Sequence, residues 1–212
     1  ALIRQGEVRS GLIKLQDAAR LDPESADIQH ELAMTYQRVG QYDEAVIHFR
    51  RAVELRPRFP QAWNNLGNLY LLSKRWDEAI ACFEKAVADL GYPTPEFAYN
   101  NMGLAYYNKG MYNQALESYR LALKRMPNYS VCLTNMGRTY EAMGARDKAE
   151  ETYGRSIEVN PEYTAAHLRL AGIYLKYGKN KAAAELLRTV IKADPKGARA
   201  AEARRMLREI RH

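Results

Sequence analysis

Ala62-Trp63-Asn64-Asn65-Leu66-Gly67-Asn68-Leu69-Tyr70 decides the fold. Within it a small residue, Gly67, stands three places ahead of an aromatic one, Tyr70, and the same pair returns along the chain. The small column is Ala33, Gly67, Gly103, Gly137 and Ala171; the aromatic column is Tyr36, Tyr70, Tyr106, Tyr140 and Tyr174. A second pair follows each first one: Ala45, Ala79, Ala115, Ala149 and Ala183, then four residues on Phe49, Phe83, Tyr119, Tyr153 and Leu187. Pro23, Pro57, Pro127, Pro161 and Pro195 differ by 34, 70, 34 and 34, a period of 34 with one double step stretched by two residues. A fixed period of this size is the signature of a repeat architecture and is settled before any other structural reading.

These columns match the tetratricopeptide repeat (TPR) pattern W-x2-L-G-x2-Y, A-x3-F, P, and residues 62–70 meet its first half at every position. The residue types have physical reasons. A small residue lets two antiparallel helices approach, an aromatic one turn later fills the gap beside it, and proline stops the second helix. Gly40, Gly110, Gly144 and Gly178 recur between the paired helices, where a left-handed conformation ends the first. The resemblance implies an all-α fold, a right-handed TPR superhelix (α-solenoid) with a groove lined by first helices, each repeat covering its neighbour's apolar face. A single solenoid over 1–212 is expected: a partial repeat at 1–25, repeats at 26–59, 60–95, 96–129, 130–163 and 164–197, and a capping helix at 198–211. Gly6, Gly11, Leu15, Ala18 and Pro23 fall on the second helix of the partial repeat, which gives about six repeats with residues missing upstream. The cap carries Ala203, Met206, Leu207 and Ile210 on one stripe.

The chain has 212 residues, 47% of them hydrophobic, with no run near the roughly 18 apolar residues a bilayer crossing needs. Nothing in it suggests an enzyme. Cys82 and Cys132 lie two repeats apart, beyond the roughly 7 Å Cα reach of a disulfide. His48 and Cys82 occupy equivalent positions on consecutive second helices, but repeats stack at about 10 Å, and both ligands of one zinc must lie within about 2.3 Å of it. No metal site, cofactor or catalytic residue is expected. Thirty-two Lys+Arg against 25 Asp+Glu give +7, yet the tyrosines sit at packing positions rather than as stacking platforms, so nucleic-acid binding is not expected.

The exposed side of the first helices recurs at repeat positions 2, 5, 6, 9, 12 and 13. From it come the candidate protein-binding residues Met34, Asn64, Asn65, Asn68, Leu71, Leu72, Phe97, Asn100, Asn101, Leu104, Tyr107, Asn135 and Arg138. Asn65, Asn101 and Asn135 form a column, with Asn64, Asn68 and Asn100 beside it. Asparagine is a middling helix former, and its amide offers donors and an acceptor to the backbone of an extended peptide. The column is similar to that in the TPR superhelix of O-linked N-acetylglucosamine transferases, where it resembles a ladder for substrate backbone. The alternative is that these amides bond neighbouring repeats. TPR chaperone adaptors clamp a carboxylate with Lys and Arg; here the matching positions hold Asn64, Asn68, Asn101, Val131 and Asn135. Amides interleaved with Met34, Leu71, Leu72, Phe97, Leu104 and Tyr107 suit an amphipathic helix or strand.

The two extra residues fall in Asp89-Leu90-Gly91-Tyr92-Pro93-Thr94-Pro95-Glu96-Phe97. This lengthened junction, followed by Ala98-Tyr99-Asn100-Asn101-Met102-Gly103-Leu104, resembles the type IV pilus biogenesis TPR lipoproteins, the secretin pilotin group (PilF, PilW and Tgl). The resemblance implies a non-catalytic scaffold at the periplasmic face of the outer membrane that promotes secretin localisation and assembly. It would be attached only through a lipid anchor upstream of this chain, with an unassembled secretin subunit as partner. The chain itself is expected to be monomeric. The alternative is a generic TPR adaptor, cytoplasmic in that case, or the TPR part of a larger enzyme, binding extended peptides through an Asn-lined groove.

Charge is unevenly placed. Residues 176–212 hold 11 Lys+Arg and 4 Asp+Glu, whereas residues 1–175 hold 21 of each. The basic excess therefore belongs to the last repeat and its cap, which points to a solvated end or a contact with anionic lipid or an acidic partner.

Overall fold

A computed structural model describes the backbone of residues 2–210 and the side chains of residues 10–210. The described residues form twelve α-helices and no strand, as the repeat pattern requires. They divide into two compact units, residues 1–109 and 110–212. The first unit holds α1 (Leu2–Leu21), α2 (Ala26–Arg38), α3 (Tyr42–Leu55), α4 (Pro60–Leu72), α5 (Trp76–Val87) and α6 (Pro95–Asn108). The second holds α7 (Tyr112–Arg125), α8 (Ser130–Ala142), α9 (Arg146–Val159), α10 (Thr164–Lys176), α11 (Asn180–Ala193) and α12 (Ala198–Glu209). Arg211, the last residue expected in the cap, lies outside the described residues.

The turns between paired helices are built the same way. Gly40, Gly144 and Gly178 have φ of 80°, 72° and 70°, and the matching place after α4 is taken by Lys74 at 59°. The next residue then turns its N–H back onto the tyrosine carbonyl five places earlier: Gln41 to Tyr36 at 2.9 Å, Arg75 to Tyr70 at 2.8 Å, Ala145 to Tyr140 at 2.9 Å and Lys179 to Tyr174 at 2.9 Å. Such six-to-one bonds satisfy carbonyls that a helix end otherwise leaves open. The tyrosine column thus serves the turn with its backbone while its ring packs. The Arg75 guanidinium lies 4.4 Å from the Tyr70 ring centroid and the Lys179 ammonium 4.7 Å from that of Tyr174, favourable cation–ring contacts.

Proline sets the other boundary. α1, α3, α7, α9 and α11 end at residues 21, 55, 125, 159 and 193, each two residues before a proline of the 34-residue series. The residue ahead of a proline is pushed out of helical geometry and the ring itself cannot continue the helix. α5 has no such stop. After it, Asp89 Oδ1 accepts from the Gly91 N–H at 2.8 Å and the Asp89 carbonyl accepts from Tyr92 N–H at 3.1 Å, closing a turn. That turn sends Tyr92 into the core and leaves Leu90 98% exposed.

In the first unit one continuous core runs from Leu32 and Phe49 through Leu66, Leu69 and Phe83 to Met102 and Ala105. Leu12, Leu15 and Ala19 of α1 pack against it, and Gln16 Nε2 donates to the Tyr36 hydroxyl at 2.9 Å. The second unit has a cluster around Leu116, Tyr140, Tyr153, Leu170 and Ile173 and another around Ala171, Leu187, Val190 and Ala203, with Met206, Leu207 and Ile210 of α12 against the latter. Phe49, Phe83 and Leu187 are wholly buried, each contributing about 1.5–3 kcal/mol relative to an exposed position.

Candidate protein-binding face

In the first unit the face begins at His30 on α2. Its ring stands 4.9 Å from that of Phe59 and 5.5 Å from that of Phe49, half-withdrawn from water. Burial lowers its pKa, against the opposing pull of Glu31 and Asp27. A neutral imidazole accepts through one nitrogen, and Asn65 Nδ2 lies 3.2 Å from Nε2, so Asn65 donates and the proton resides on Nδ1. The same Asn65 nitrogen is 3.2 Å from Met34 Sδ. Phe59 is held in turn by the Arg56 guanidinium, 4.7 Å from its centroid, which Asp27 grips through two bonds of 2.8 and 2.5 Å.

One repeat further on, Asn100 Nδ2 donates to Asn101 Oδ1 at 2.9 Å and Asn101 Nδ2 donates to Asn68 Oδ1 at 2.8 Å. Asn65 and Asn101 therefore bond the preceding repeat, the second of the two roles their sequence positions left open. Asn64 differs. Its Oδ1 is buried without a hydrogen-bond partner among the described residues, at a desolvation cost of about 1–3 kcal/mol. Leu72 is 61% and Phe97 39% exposed, while Leu71, Leu104 and Tyr107 are half-buried.

Asn135 and Arg138, the remaining expected residues, stand on α8 in the second unit, where Arg138 Nη1 reaches Asn135 Oδ1 at 3.5 Å. Position 5 of the repeat corrects the expectation of an exposed side: Asn100 and Thr134 are each only 3% exposed. Thr134 Oγ1 lies 2.9 Å from Ser156 Oγ, which donates to the Ser130 carbonyl at 2.9 Å, so this position belongs to the contact between paired helices. His30 stands at position 5 of its repeat and is not among the residues expected to bind. Its signal was an imidazole one repeat before an asparagine, 35 residues away.

Neither cysteine is an activated thiol. Burial pushes the Cys82 and Cys132 thiols up to about 12, so both stay protonated and pack as small apolar residues. The described residues contain no cluster of three His, Cys, Asp or Glu able to hold a metal ion. His48, instead of turning to Cys82, places Nδ1 2.8 Å from Gln29 Oε1.

Paired helices joined by left-handed turns, a small residue against an aromatic in each pair, and a polar face on the first helices define a helical-hairpin repeat protein that binds through its surface. Tetratricopeptide repeat models match residues 30–93, 94–162 and 153–207, and the chain belongs to the tetratricopeptide repeat family. Among curated relatives, the type IV pilus assembly protein PilF of Pseudomonas aeruginosa is 27% identical over 122 residues, 58% of this chain and 48% of that protein. The general transcriptional corepressor trfA of Dictyostelium discoideum is 26% identical over 119 residues, 56% of this chain and 9% of that protein. The chain thus spans less than half the length of these relatives. Its fold is similar to that of PilW, a widely conserved type IV pilus biogenesis factor, at a TM-score of 0.82 and 23% identity, over 99% of this chain and 93% of that one. A Pseudomonas aeruginosa PilF structure gives 0.78 and 21%, over 94% and 90%.

Proposed function

We propose that this chain is a non-catalytic, pilotin-like scaffold that binds an unassembled secretin subunit and promotes secretin localisation and assembly for type IV pili. It would act at the periplasmic face of the outer membrane, held there by a lipid anchor upstream of residue 1. Similarity to PilF and PilW supports the pilus setting. The observation that carries the binding role is the apolar surface that Leu72 and Phe97 expose on the first helices, beside the amides of Asn68 and Asn101. An extended segment with alternating apolar side chains can cover that surface and meet the amides with its backbone.

The test is co-expression with a secretin subunit, reading assembled rings in the membrane fraction. Leu72→Glu combined with Phe97→Glu should abolish assembly while leaving the helical circular dichroism unchanged. Full assembly by the double variant, with normal amounts of protein, refutes the reading. The second reading, a general TPR adaptor for extended peptides, has the trfA similarity in its favour. It is distinguished by binding of unrelated extended peptides with no effect on secretin.

A further inference from the structure

We propose that the basic end of the chain, formed by α11, the turn after it and α12, docks on a bilayer surface that carries anionic phospholipid headgroups. Residues 176–210 hold ten Lys+Arg and four Asp+Glu, while the preceding 175 residues are balanced. On α11 the residues Lys181, Glu185, Arg188 and Lys192 follow one another at spacings of four, three and four, which places three cations on one helical face. That face is solvated, because the helix turns Ala183, Ala184, Leu187 and Val190 inward. On α12 the inward residues are Ala200 and Ala203, leaving Arg204, Arg205 and Arg208 outside.

Pairing accounts for few of these charges. Lys176 meets Glu141 at 3.8 Å and Lys179 meets Glu150 at 3.2 Å. Arg204 donates to the Pro195 carbonyl at 2.7 Å and Arg199 lies 3.5 Å from Thr164 Oγ1, so both are tied to neutral groups. Lys181, Arg188, Lys192, Lys196, Arg205 and Arg208 are exposed and form no ion pair among the described residues. Unshared cations raise the local potential and select an anionic partner.

The lack of apolar relief decides which anionic partner. Protein interfaces are centred on buried aromatic or aliphatic anchors, yet none of the large exposed hydrophobic residues falls after Tyr177 among the described residues. A single-stranded nucleic acid needs free aromatic platforms; the Tyr177 ring is already covered by the Arg146 guanidinium, 3.6 Å from its centroid. Exposed, unpaired cations without a pocket or apolar anchor read charge density, the property of a headgroup plane. The proposal is independent of the secretin reading, since it concerns residues outside the amide face.

Sedimentation with vesicles tests it, with no secretin present. The chain should bind vesicles of phosphatidylcholine containing about 30% phosphatidylglycerol and not vesicles of phosphatidylcholine alone, and binding should vanish as salt rises from about 50 to about 500 mM. Changing Lys181, Arg188, Lys192, Arg205 and Arg208 together to Gln should weaken partitioning at least about thirtyfold, with the thermal melt unchanged. A control removing five exposed cations elsewhere, Arg50, Arg58, Lys85, Lys124 and Arg125, should keep partitioning within about threefold of the original. Equal losses in both variants overturn the proposal by reducing it to net charge. Absence of binding to anionic vesicles, or retention on polyglutamate without vesicle binding, overturns it in favour of an acidic protein partner; the salt series on the unaltered chain decides even if a variant fails to fold.

Discussion

The ring of Phe83 lies so close to the backbone of Gly67 that a Cβ placed there would come within 2.7 Å of its Cε1. Gly137 stands in the same relation to Tyr153, at 2.6 Å from Cε1. Both rings are wholly buried, so neither can swing aside into solvent. Gly67→Ala should gain about 1 kcal/mol from helix propensity and lose about 1–3 kcal/mol from overpacking. The expected outcome is a net destabilisation of about 1 kcal/mol, read by urea unfolding. A stabilised variant would show that the helices yield without cost.

Lys74 occupies the left-handed position that glycine fills in the equivalent turns. A side chain there costs about 1–2 kcal/mol, partly offset because glycine leaves the unfolded chain freer. Lys74→Gly should therefore stabilise the first unit by about 0.5–1 kcal/mol. Gly144→Ala, a substitution at φ of 72°, should destabilise by a similar amount. Thermal melts of the two variants should shift in opposite directions.

Stability should fall with acid. His30, His48 and His167 all have pKa values lowered first by burial. A histidine held below its unfolded value binds its proton more readily in the unfolded chain. As pH drops through about 6.5, the unfolded state is the one that gains. Melting temperature should be flat well above that point and decline as pH falls through it towards pH 5. His30→Gln should flatten part of the decline; an unaltered profile would remove His30 from the account.

Asn68 and Asn101 share one 2.8 Å hydrogen bond across two repeats. A double-mutant cycle to alanine should return a coupling of about 0.5–1.5 kcal/mol. Coupling near zero would mean that water replaces the bond freely, leaving both amides available to a ligand.

Where the sequence period predicts helix ends, its markers act locally: glycine ends one helix and proline another. Lys74 escaped notice since nothing about lysine announces a left-handed turn. The amide partners were illegible for a different reason. Asn101 finds Asn68 at a separation of 33 residues, and His30 finds Asn65 at 35, distances over which only the packed structure chooses between neighbour and ligand. Asn100 and Thr134 are buried, against the expectation for position 5, because that position lies at the flank of the helix, where a small change of helix rotation decides burial. Tyr92 belongs to the lengthened junction in the sequence, and its burial in the core depends on the Asp89 turn.

That turn also shows where the chain has slack. Every proline-stopped helix fixes the length of its connection, so an added residue would throw the next pair out of step. Between α5 and α6 the spacing is instead absorbed by a loop whose apex, Leu90 and Gly91, contacts solvent while Tyr92 pins its descending limb. The junction therefore works as an expansion joint, the place where a peptide tag or fluorophore can be spliced into the chain without disturbing the helices on either side.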